Sequence, residues 1–253
     1  MSRPDRIAVH LASPALFVGA SADGTGADTD VVTDDHGLPY LPRHRLAARL
    51  RAGAASASTV APHLSRAADE LLGRDRSHGP DRMLRVGHAV LGDDVRAAVG
   101  RALAGRAEPL RAALRRAVTD AYTALESGVE IGPDGAPEPG RLRTHRVLLP
   151  GLTLTAALTW AAPPDEEHWR ILARACLATT QIGSKGARGR GRVDVRLVGP
   201  GAEDPHATTL RLAAPPVLED APPPGKAPGP PASAASPAPG ASTGWASRGG
   251  EPR

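Results

Sequence analysis

The sequence predicts an α+β domain over residues 1–214, a ferredoxin-like β-α-β-β-α-β core with helical insertions, and a disordered C-terminal tail over residues 215–253. Three observations lead there. The last third of the folded part runs strand, helix, basic glycine loop, strand, for which a split β-α-β is the economical architecture. A period-two run near the N-terminus supplies a further strand. The last 39 residues hold eleven of the 26 prolines and almost no large apolar side chain, a composition that cannot offset the entropy of ordering.

Taken in order, Ile7 to Ser13 alternates apolar with small or polar residues and stops at Pro14, as a strand does. Ala20 to Asp35 carries aspartates at 23, 28, 30, 34 and 35 and two glycines, and reads as an acidic loop. Gly37-Leu-Pro-Tyr-Leu-Pro42 is a rigid turn that places Pro42 at a helix start, and Leu46, Leu50 and Ala54 recur at helical spacing behind it. A second helical stretch runs from Ala61 to Leu72, and Met83 to Leu91 reads as a strand. Asp93-Asp-Val95 opens a helical region that is broken near Gly105 to Pro109 and resumes through Tyr122 and Leu125. Gly132-Pro-Asp-Gly135 is a turn. Val147 to Leu149 and Leu152 to Trp160 read as a strand pair, or as one strand broken at Pro150-Gly151. Asp165-Glu-Glu-His168 is an acidic first helical turn, followed by the stripe Trp169, Leu172, Cys176 and Leu177, with Gly183 as its C-terminal stop. Val193 to Val198 alternates as the final strand.

Net charge is only +4, yet the cations are 29 arginines against Lys185 and Lys226. Arginine makes bidentate phosphate contacts and stacks on bases, which favours a nucleic-acid partner; a GC-rich coding sequence would enrich the same residue without any function. With one cysteine, Cys176, neither an intramolecular disulfide nor a cysteine-rich zinc site can form. The N-terminal apolar run is too short for a signal peptide or a membrane span, so a cytoplasmic protein without a membrane partner is expected. The nine histidines show no H-E-x-x-H spacing.

The stretch Ile182-Gly-Ser-Lys-Gly-Ala-Arg-Gly-Arg-Gly-Arg-Val193 organises the chain. Its cations Lys185, Arg188, Arg190 and Arg192, with Arg196 nearby, alternate with Gly183, Gly186, Gly189 and Gly191, so backbone N–H groups can approach a polyanion. It is neither a P-loop nor a dinucleotide fingerprint, because it closes a helix and opens a strand. The plain alternative is a solvated Arg/Gly turn.

Three stretches together resemble the RAMP superfamily of CRISPR-associated proteins, in particular the backbone subunits of type III effector complexes. The first is Asp28-x-Asp-Val-Val-x-Asp34-x-x-Gly-Leu-Pro-Tyr-Leu-Pro42, similar to that family's D-x-x-V-x-x-D…G-x-P-Y-I-P element. The second is Gly140-Arg-Leu-Arg-Thr144 through Pro150-Gly151, and the third is Gly183-x5-Gly189-x-Gly191-Arg192-Val193. The family continues after the second proline as G-S-S-L-K-G-x-L-R, whereas this chain has Arg43-His-Arg-Leu-Ala-Ala-Arg-Leu-Arg51. The final arginine is kept; the small-residue turn and its lysine are not.

The resemblance implies an RRM-related fold that holds a CRISPR guide RNA by its backbone, with target RNA and other effector-complex subunits, further RAMP proteins among them, as partners. The RNA-binding candidates are then Gly183, Ser184, Lys185, Arg188, Gly189, Arg190, Gly191 and Arg192, joined by Arg43, His44, Arg45 and Arg51. By motif position, Asp28 would be the catalytic residue and metal ligand of an endoribonuclease that uses a divalent cation, Mg²⁺ for preference. Three readings stand: an RNA-binding scaffold, a scaffold that also cleaves through Asp28, and an unrelated ferredoxin-like binding module. For Asp23, Asp30, Asp34 and Asp35 a role in capping turns is the better expectation.

Overall fold

The structure is a computed structural model that describes residues 3–19, 27–73, 82–131, 137–184, 189–201 and 204–215. Asp23, the turn at 132–135, the cations Lys185 and Arg188, and residues 216–253 of the expected tail lie outside the described residues.

Six strands and six α-helices are described: β1 (Arg6–Leu11), α1 (Arg43–Val60), α2 (Ser65–Leu72), β2 (Leu84–Val86), α3 (Asp93–Leu103), α4 (Leu110–Tyr122), β3 (Thr123–Ile131), β4 (Pro137–Leu148), β5 (Thr153–Trp160), α5 (Glu166–Ala178), β6 (Val193–Val198) and α6 (Pro205–Ala213). They form an α+β fold with two antiparallel sheets, one of order β2-β5-β1-β6 and one made by the β3-β4 hairpin.

Alternation decides which side of the first sheet is dry. Ile7, Val9 and Leu11 of β1, Leu154, Ala156 and Leu158 of β5, and Val193, Val195 and Leu197 of β6 are all buried. They meet Leu46, Leu50 and Ala54 of α1 and Trp169, Leu172 and Cys176 of α5. Each fully buried leucine or isoleucine contributes about 1.5–3 kcal/mol, so this layer carries much of the stability. The opposite side presents Arg6, His10, Arg85, Thr153 and Thr159, all exposed, and no aromatic residue among the described strand positions. No described helix is long and apolar enough to cross a membrane.

Local chemistry sets the helix ends. Asp165 caps α5 by accepting the His168 N–H at 2.8 Å, while the His168 ring reaches back to the Asp165 N–H, a reciprocal box that satisfies two orphan donors. The helix ends at Thr179, whose hydroxyl donates to Ala175 O at 2.8 Å; Gly183, expected as the stop, lies beyond it. Helix α6 was not foreseen, although Asp204-Pro205 signals it: the aspartate accepts the His206 N–H at 2.9 Å and the proline occupies the first turn. It covers the outer edge of β6, where Thr209 Oγ1 accepts the buried Leu197 N–H at 2.9 Å.

Three expectations are corrected. The helical region expected to include Leu125 ends at Tyr122, and Leu125 sits in β3. The two strand segments expected over 147–160 are present and part at Pro150-Gly151, but they belong to β4 and β5 and do not pair with each other. At Gly151 (φ +84°) the chain changes sheets, with Leu11 exchanging backbone bonds with Gly151 and Leu152 while β4 stays with β3. The strand expected over 83–91 is regular only at 84–86; beyond it Ala89 pairs with Leu41 and Val90 with Thr155.

Candidate nucleic-acid interface

The basic glycine loop is set against the segment that leaves β1. Gly191 N–H donates to Pro14 O at 2.8 Å, Ser184 N–H to Leu16 O at 3.0 Å and Arg192 N–H to Ser13 Oγ at 2.9 Å. These three donors are therefore spent inside the fold and are not offered to an anion. The glycines have a packing reason instead. A Cβ on Gly191 (φ +71°) would stand 2.0 Å from Ile182 O, and one on Gly183 (φ +99°) 2.8 Å from Leu16 O. The loop also has side chains to offer a polyanion.

Those side chains differ. Arg192 is exposed. Arg190 is mostly buried and ion-paired with Glu126 of β3, while its carbonyl accepts from Gln181 Nε2 at 3.2 Å. Helix α1 adds cations at the same place: exposed Arg49, which the sequence reading did not single out, reaches Gly183 O with Nη2 at 3.5 Å. At the start of α1, Arg43 and His44 are also exposed. Arg45 donates to Val18 O at 2.6 Å and Arg51 to Leu72 O at 3.3 Å, so these two hold loops and helices together.

His88 stands beside the start of α1. Its Nδ1 accepts the Arg43 N–H at 3.2 Å, and its ring stands edge-on to Tyr40 at 5.0 Å. Partial burial, and then the positive charges of Arg43 and His44, hold its pKa below the ordinary imidazole range.

The acidic segment runs beside the hairpin and is joined to β4 by an isolated bridge. Asp28 N–H donates to Thr144 O at 2.8 Å, Arg146 N–H to Thr29 O at 2.9 Å, and Thr29 pairs with His145 in parallel. That register puts Asp28 and Asp30 on one face with Thr144 and Arg146. Asp28 is exposed, and its Oδ2 accepts the Thr144 N–H at 2.7 Å. Asp30 is buried: Oδ1 accepts the Val31 N–H at 2.8 Å and lies 3.3 Å from Arg146 Nε. Arg146, only 8% exposed, also donates to Asp120 Oδ1 at 2.7 Å and Thr123 Oγ1 at 3.1 Å. This arginine joins the acidic segment, α4 and β3 across a groove of ≈ 680 Å³. Asp34 does cap a turn, accepting His36 and Leu38 N–H at 2.9 and 3.0 Å.

The hairpin touches both expected sites, one from each face, since neighbouring strand residues point to opposite sides. On β3, Ser127 pairs with Thr144, the residue that holds Asp28, and adjacent Glu126 holds Arg190. Among the described residues no three His, Cys, Asp or Glu side chains group as a metal site. An exposed single carboxylate fits a Mg²⁺ ion only where substrate phosphates and water complete the shell, a common arrangement for that ion.

No family model matches the chain, and no curated protein sequence matches it. Solved structures are similar in fold. A chain of the type III-B Cmr-beta complex bound to cognate target RNA superposes with a TM-score of 0.54 at 12% identity, over 76% of this chain and 96% of that one. A chain of the apo state of type III-B Cmr-beta gives a TM-score of 0.57 at 12% identity, over 78% and 97%.

Proposed function

We propose that this chain is a guide-RNA-binding backbone subunit of a type III CRISPR effector complex, a cytoplasmic member of the RAMP superfamily that works beside other subunits and target RNA. The observation that carries the reading is the convergence of exposed Arg49 and Arg192 on the glycine loop beside the hairpin that holds Asp28. The strand order β2-β5-β1-β6, with α1 and α5 against the same face, supports a ferredoxin-like core assembled from two split β-α-β units. The exposed sheet face carries no Phe, Tyr or Trp among the described strand positions, which suits contact with phosphate and sugar. Lys185 and Arg188, outside the described residues, remain candidates from the sequence. The fold likeness to chains of Cmr-beta points the same way.

Asp28 is the residue that would hold a divalent cation, which when bound supplies charge neutralisation at a scissile phosphate. The hydrogen bond from Thr144 holds its carboxylate in place. The same bond supports a second reading, a scaffold in which Asp28 only secures the acidic segment to β4. Replacement of Asp28 by asparagine separates the two, since the amide oxygen still accepts the Thr144 N–H while the charge is lost. In an assembled complex, Asp28→Asn abolishes cleavage with RNA binding intact if the residue is catalytic; full cleavage leaves the scaffold reading.

A further inference from the structure

The segment that enters α1 meets the segment that follows β2 at two residues the fold turns outward. Leu41 and Ala89 exchange both backbone bonds, at 2.9 and 3.0 Å, and both side chains are fully buried. Tyr40 and His88 precede them on the two bridged segments, so their side chains point to the other side; Tyr40 is half-buried and His88 is exposed. The two rings stand edge-on at 5.0 Å. Exposed Arg43 and His44 adjoin them. Arg49, which reaches the glycine loop, lies on the same helix about 9 Å further along its axis.

Hydrogen bonding fixes the tautomer of His88. The Arg43 N–H donates to Nδ1 at 3.2 Å, and a nitrogen that accepts carries no proton. The neutral ring therefore holds its proton on Nε2, and among the described residues nothing accepts from that nitrogen. Partial burial, and then the charges of Arg43 and His44, keep the pKa below the ordinary imidazole range, so the uncharged ring is the form present at neutral pH. The Arg43 guanidinium has no partner among the described residues either, and an arginine is the stronger donor to a phosphate. What suits the neutral His88 N–H is an uncharged acceptor.

We propose that Tyr40, Arg43 and His88 form a contact site for one ribonucleotide of bound RNA, with the phosphate on Arg43 and the His88 Nε2–H donated to an uncharged acceptor, the ribose 2′-hydroxyl or the base edge. Tyr40 is a positioning residue: its ring and the Arg43 N–H together set the plane of the imidazole. The site rests on the RNA reading above and adds a neutral contact to a surface otherwise made of cations. The two kinds of contact respond differently to salt. A cation acts through counterion release and loses strength as salt rises, whereas a neutral donor releases no counterion.

The test is a titration of a labelled oligouridylate with the full chain, followed by anisotropy at several salt concentrations. His88→Asn keeps in Oδ1 an acceptor for the Arg43 N–H and has nothing in place of the Nε2–H. It should bind about fivefold more weakly, with the native log-log salt slope and melting temperature. His88→Gln keeps an N–H at the far position and loses the near acceptor; it should bind more tightly than His88→Asn and melt lower. Arg43→Ala, by contrast, should lower the slope by about 0.7. On an oligodeoxyuridylate, disappearance of the His88→Asn effect assigns the acceptor as the 2′-hydroxyl, and its persistence assigns the base edge. Native affinity in His88→Asn, a slope lowered as in Arg43→Ala, or a loss of affinity accompanied by a fall in melting temperature would overturn the proposal. A native chain that bound no RNA would overturn the RNA reading as well, whereas a His88→Asn chain that bound like the native one would remove this site alone.

Discussion

Arg190 of the glycine loop is ion-paired with Glu126 of β3, so one of the loop's arginines is already neutralised by the hairpin before any RNA arrives. A phosphate must compete with that carboxylate. Glu126→Gln should therefore tighten single-stranded RNA binding and steepen its log-log salt dependence by about 0.7, the value of one added phosphate contact. Arg190→Ala in the otherwise native chain should change the slope little. The two variants, measured singly and together by anisotropy at several salt concentrations, make a double-mutant cycle; equal slopes in all four proteins would show that Arg190 never exchanges partners.

Arg146 is the residue whose loss should cost most. Arg146→Met leaves Asp30 buried without its cation and should destabilise the fold by about 3–5 kcal/mol. The other carboxylate partner, Asp120, is half exposed, so Asp120→Asn should cost less than about 1 kcal/mol. Urea unfolding of the two variants checks the difference.

The cap on α5 gives a pH prediction. The His168 backbone N–H bonded to Asp165, partly opposed by desolvation, holds that carboxyl below its ordinary range. A depressed folded-state pKa means the contribution is complete above the ordinary carboxylate range and is lost as pH falls through the lowered value. Asp165→Ala should thus lower stability by about 1 kcal/mol at neutral pH, and the gap to the native chain should close in acid. Paired thermal melts across that pH range read it directly.

How far the sequence was legible depended on whether local pattern or distant partners set each feature. Strands β1 and β6 and helix α5 follow from alternation, helical spacing and a cap, all local. Strand β3 did not, because Val118, Tyr122 and Leu125 continue a helical spacing across its start and no glycine or proline marks the switch at Thr123. The glycine loop was found, but its glycines were assigned to ligand approach. Only the fold reveals that Gly191 and Gly183 clear backbone carbonyls at Ile182 and Leu16. Arg146 carried no signal at all, since its partners Asp30 and Asp120 lie more than a hundred and 26 residues away respectively.

The central claim, that exposed side chains of α1 and the glycine loop hold RNA by its phosphates, is tested most directly by the salt dependence of binding. Arg43, Arg49 and Arg192 are exposed and lie outside the core, so their joint replacement by alanine should leave the fold intact. For a labelled single-stranded RNA, the account predicts weaker binding to every sequence tried and a slope reduced by about 2, three contacts at about 0.7 each. An unchanged slope and affinity in the triple variant would contradict it.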